Sequence, residues 1–134
     1  MINYLAVGVA ALLAFLIGGL WYSPLLFGTA SLTLRGVDPA SAPTTMHAAE
    51  VAGEFARWLL IVLIVAHLLL RLSINSFASG VQVGFWVWVA IYAALAGSVL
   101  HEGYPWRLYA IHAADGLIKL LVISTVLSIW QAHE

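Results

Sequence analysis

Four stretches of this chain are long and apolar enough to cross a bilayer, and two of them contain no charged residue at all. A hydrocarbon core of about 30 Å takes roughly 20 helical residues to span. The stretches cover residues 2–22, 47–70, 80–100 and 106–130. In lipid, every backbone N–H and C=O must find its partner within the protein, which leaves only helices and closed barrels. The run AVGVAALLAFLIGGLWY shows none of the alternation a barrel strand requires. The expected fold is therefore an all-α membrane protein, with four transmembrane helices in an antiparallel up-down bundle, forming one integral membrane domain over residues 1–134. Charged residues make up only 8% of the chain, against about 25% in soluble proteins. The first Lys or Arg is Arg35, so the opening stretch lacks the basic flank of a signal peptide and is expected to remain as a span.

The connections differ in length. Residues 23–46 form one long loop punctuated by Pro39 and Pro43, in which LLFGTASLTLRG suggests a short helix lying at the membrane surface. Residues 71–79 and 101–105 are short turns that make successive helices antiparallel neighbours. Trp21, Tyr22, Trp106 and Trp130 sit at span ends, where an aromatic belt belongs. Ala6, Ala10, Ala14 and Gly18 recur every fourth residue along the first span, giving a smooth strip for helix packing within the chain or against a second copy. Gly80 with Gly84, and Ala93 with Gly97, repeat that pattern more weakly in the third span.

Ionisable residues inside the spans are the feature that points to function. The second span carries His47, Glu50, Glu54 and Arg57, and the fourth carries His112, Asp115 and Lys119. At about 100° per residue the first set falls within an arc of about 80° and the second within about 60°. Charge in hydrocarbon costs about 2.5 to 3.5 kcal/mol per residue on the insertion scale, so such groups normally face protein or water. Both spans start from the side holding the long loop, so they run parallel and their polar residues share one leaflet. Arg57 and Lys119 lie within about 3 Å of the midplane. The pattern predicts a one-sided polar cavity, sealed beyond Arg57 and Lys119, with Trp21, Tyr22, His101, Glu102 and Arg107 around its mouth. Glu54 with Arg57, and Asp115 with Lys119, can pair along each helix, and cross pairs such as Arg57 with Asp115 are equally compatible with the spacing. His67, alone near a helix end, reads as snorkelling or bonded to a carbonyl.

Several functions fit this pattern. In the first, a homo-oligomer, dimer or larger, binds or passes a small ion, a proton or a polar solute, with the carboxylates exchanging protons and His47 and His112 titrating near neutral pH. The second is a non-catalytic accessory or assembly protein whose charged network is structural. The third is a membrane metal-binding protein. In it, His47, Glu50, Glu54, His112 and Asp115 form a ligand set suited to zinc or iron, although no cofactor is otherwise indicated. Catalysis has least support, since no nucleophile elbow, Gly-rich phosphate loop or HExxH is present. Cysteine is absent, and a net charge of -1 gives no case for nucleic acid; the bilayer and further copies of the chain are the expected partners.

The run GGLWYSPLLFG (Gly18 to Gly28), with HEGYPWRLYAIHAADGLIKLL (His101 to Leu121), resembles a bacterial family of small four-span membrane proteins, domain-of-unknown-function family 1761. The resemblance covers essentially the whole chain, and WYSP-x-x-FG is its more specific part. It implies four helices in the bacterial cytoplasmic (inner) membrane and brings no established activity. Physically, Pro24 stops the first helix, and the aromatic pair before it marks the interface.

Overall fold

The computed structural model describes residues 1–41 and 47–131, and all regular structure in them is helical. Four long helices, α1 (Tyr4–Trp21), α3 (Ala48–Arg71), α4 (Phe77–Glu102) and α5 (Trp106–Gln131), each have the length and hydropathy of a membrane span. A short helix, α2 (Gly28–Leu34), lies between the first two, within the LLFGTASLTLRG segment expected to be helical. Pro43, expected to close the long loop, lies outside the described residues.

Local chemistry sets the ends of these helices. Asn3 caps α1 by accepting from the Ala6 N–H at 3.1 Å. At its other end the chain folds back sharply: the Leu26 and Gly28 N–H groups both donate to the Ser23 carbonyl, and the Phe27 ring stacks 4.6 Å from Trp21. A Cβ on Gly28 would strike the Tyr22 carbonyl and come within 2.8 Å of the Ser23 carbonyl, so this turn requires glycine. The WYSP-x-x-FG motif is thus a helix stop followed by a reversal that lays α2 against α5. α4 is longer than the 80–100 stretch suggested. Ser76 caps it by accepting from the Ser79 N–H, and Gly103, at φ 68°, terminates it.

α5 is the central helix. It packs against α1 and α4 and also touches α3 and α2, while α1 in turn packs against α3. A helix covered on several sides has no narrow apolar stripe, and the buried side chains of α5 accordingly spread over more than half of its circumference, with Arg107, Ile118 and Ile129 exposed on the rest. Lipid tails are as apolar as leucine, so close packing rather than water exclusion must hold such a bundle together. Small residues provide it. Ala6, Ala10 and Ala14 are fully buried on α1, and Gly80 and Gly84 of α4 lie directly against Ser128 and Ser124 of α5. Gly97, by contrast, meets nothing. The apolar core, built from the α1 alanines with Val62, Val65, Leu120, Ile123 and Leu127, fills the half of the bundle away from the intramembrane charges.

Candidate functional site

The polar half of the molecule is organised around α5. Asp115 and Lys119 are 4% and 1% exposed, and Lys119 Nζ donates to Asp115 Oδ2 at 2.9 Å. The i,i+4 spacing makes this contact within one helix, and burial removes the competing water. On its other side the ammonium sits 4.5 Å from the centre of the Trp58 ring of α3, a cation–π contact. Gly18 of α1 makes room for it, since a Cβ there would come 2.8 Å from Nζ. Three helices therefore enclose a single charged group.

Trp58 also joins the two ion pairs. Its Nε1–H donates to Glu54 Oε1 at 3.2 Å, and the same carboxylate oxygen accepts from Arg57 Nη2 at 2.7 Å. The spacing of the charged residues gave no hint of this indole. The available signal was its position one turn beyond Glu54, in register with Val62, Val65 and Leu69 on the inward side of α3.

On the more exposed side, the Tyr22 hydroxyl and His112 Nδ1 share a hydrogen bond. Asp115 Oδ1, a buried oxygen, has no hydrogen-bond partner. Trp21 Nε1–H binds the Ile111 carbonyl at 3.1 Å, which fixes the end of α1 against α5. α4 closes the remaining side: Trp88 Nε1–H donates to the Ala113 carbonyl at 2.7 Å, the Tyr109 hydroxyl donates to the Tyr92 carbonyl, and the Tyr92 ring lies against Gly116.

The residues picked out by spacing thus divide. Glu54, Lys119 and Asp115 are linked through Trp58, and His112 is bonded to Tyr22 beside them. The two cations expected at the closed end of the cavity part company, because Lys119 is buried while the Arg57 side chain is 64% exposed on the outer side of α3. Helix rotation explains this. Trp58, Val62, Val65 and Leu69 set the inward face, and Arg57 projects about 120° from its centre. His47 and Glu50 are exposed in the first turn of α3, and His47 caps that helix through its backbone only. His101, Glu102 and Arg107 are exposed at the same end of the bundle, with the Arg107 guanidinium over Trp106. Among the described residues the ion pairs are Glu54–Arg57 and Asp115–Lys119, and the cross pair Arg57–Asp115 is not formed. No three His, Asp or Glu side chains among the described residues gather as metal ligands would, so His47, Glu50, Glu54, His112 and Asp115 do not make a coordination sphere. His67 Nδ1–H donates to the Leu63 carbonyl at 2.7 Å, the local bond read for it from sequence.

What the arrangement can do is hold and exchange charge: a carboxylate with one free oxygen, a tyrosine–histidine hydrogen bond leading towards the wet end, and a resident ammonium. No curated protein and no solved structure matches the chain. Its four long apolar helices are those of an integral membrane protein, and the sequence profile described as protein of unknown function (DUF1761) matches residues 5–128, so the protein belongs to that family.

Proposed function

We propose that the centre around Asp115 takes up a proton or a small cationic solute from one face of the membrane and passes it to the other, in a homo-oligomer. The observation that carries this reading is Asp115 Oδ1: a buried carboxylate oxygen without a hydrogen-bond partner, beside a tyrosine and a histidine already bonded to each other. An unpaired buried acceptor is costly, and a proton or a donor group on an incoming solute relieves that cost. His112, half-buried and nearer the wet end of α5, supplies the group through which a proton reaches Tyr22 and then Asp115. The test is flux into proteoliposomes loaded with a pH-sensitive dye, driven by a pH or cation gradient. Asp115→Asn is expected to abolish a flux that the unaltered protein supports, and Tyr22→Phe to slow it.

A second reading has its own support. The Asp115–Lys119 pair is compensated and its ammonium is covered by Trp58, as a purely structural network in an accessory membrane protein would be. Absence of flux under any gradient, with Asp115→Asn altering stability alone, would decide for that reading.

A further inference from the structure

We propose that the outer face of α3 around Glu54 and Arg57 is the seam at which two copies of this chain meet in parallel, related by a two-fold axis along the membrane normal. The seam rests on the homo-oligomeric part of the reading above, and is independent of what Asp115 binds.

The starting observation is an ion pair in the wrong place for a lone bundle. Arg57 is nine positions beyond the start of α3 and about 4 Å from the middle of that helix, yet its side chain is 64% exposed and that of its partner Glu54 is 34% exposed. Intramembrane charges almost always face protein or a water-filled cavity, so this pair calls for a protein neighbour outside the bundle. The surface beside it admits one closely: a Cβ on Gly53 would meet nothing within 4 Å, Ala56 is exposed, and Leu60 and Ile64 follow along the same side at 59% and 48% exposure.

Charge and depth identify the neighbour. Glu54 and Arg57 are opposite in sign and one turn apart, so the patch is complementary to itself. In a parallel two-fold pair, Arg57 reaches Glu54 of the partner subunit while the partner's Arg57 reaches Glu54, and each carboxylate accepts from two guanidinium groups. An antiparallel copy fails, because Glu54 lies about 8 Å to one side of the helix midpoint and an inverted partner would carry its own pair in the opposite leaflet. Lipid headgroups begin about 15 Å from the middle of the bilayer, too far to reach a Glu54 carboxylate that lies about 8 Å from the helix midpoint.

The chain contains no cysteine, so single thiols report contacts cleanly. Leu60→Cys in otherwise unaltered protein, oxidised in native membranes, is expected to give a disulfide-linked dimer several-fold above a Trp86→Cys control on the exposed side of α4. Glu54→Lys and Arg57→Glu are each expected to lose the dimer on sizing in mild detergent. Mixing them pairs a doubly positive patch with a doubly negative one, and mixed dimers should reappear. Equal cross-linking at the two thiol positions, or no mixed dimer from the two charge variants, overturns the seam and leaves a lipid or a different protein as the occupant. Because the readout is cross-linking, the result stands whether or not any flux is found.

Discussion

Asp115 and Lys119 show why a buried pair is more informative when broken than when intact. Each charge is sheltered from solvent, and each neutralises the other at 2.9 Å. Removing one partner strands its mate in low dielectric, which typically costs about 3 to 5 kcal/mol, whereas replacing both with apolar residues of similar size is often close to neutral. Asp115→Leu and Lys119→Met should therefore each destabilise the protein by that order, and the double variant by much less than their sum. Unfolding in mixed micelles reads this out, and additive losses would mean that the two side chains do not depend on each other. Sequence spacing disclosed this pair because i,i+4 contacts are intrinsic to a helix. It did not disclose Trp58 or the orphaned Asp115 Oδ1. Those depend on how α3 is rotated and how far α1 extends, and both are set by packing between helices distant in sequence. Arg57 is the counterpart: its arc along α3 was legible, but the packed face of Trp58, Val62, Val65 and Leu69 turned it outward.

At the scale of the helices, the spans could be read from apolar length alone, whereas their arrangement could not. α5 becomes central because small residues let two neighbours approach it at once: Ser124, Ser128 and Gly116 lie against Gly80, Gly84 and Tyr92 of α4, and Gly18 of α1 makes room for Lys119. Nothing in its hydrophobic periodicity announces that. The three residues added at the start of α4 have a similar origin: Gly80 looked like the beginning of a span, but it is an interior residue held against Ser128, and the true cap is Ser76. Such close approach is fragile. A Cβ on Gly84 would collide with the Ser124 side chain and come 2.9 Å from the Leu120 carbonyl, which is backbone and cannot step aside. Gly84→Leu should separate α4 from α5, at a cost above the 1 to 3 kcal/mol or so typical of overpacking. Gly97→Leu, where nothing lies within 4 Å, should be tolerated. Comparing the thermal stability of the two variants in detergent checks the claim; equal losses would mean that the glycines act through helix propensity instead of contact.

Across the whole molecule, polarity is divided between the two halves of the bundle. The Asp115 centre, the Glu54–Arg57 pair and the exposed His47, Glu50, His101 and Glu102 lie towards the end that holds α2, while alanine, valine, leucine and isoleucine fill the other half. This division was legible in the sequence, because connectivity alone makes α3 and α5 parallel and puts their charges at one level. It has a direct consequence for access. Water that reaches His112 from the α2 end meets Asp115 next and then the buried Lys119, beyond which Leu120, Ile123 and Ser124 leave no exposed surface. With no native cysteine, a thiol can be placed at either level without background. His112→Cys should react with a membrane-impermeant maleimide added on one side of sealed vesicles and remain inert to the same reagent on the other. Ser124→Cys, about 8 Å past the middle of α5, should stay unlabelled from both sides until detergent and heat open the bundle. Rapid labelling of Ser124→Cys from the far side would mean that a water path runs through the apolar half. The Asp115 centre would then sit within a continuous channel, and access to one face at a time would be ruled out.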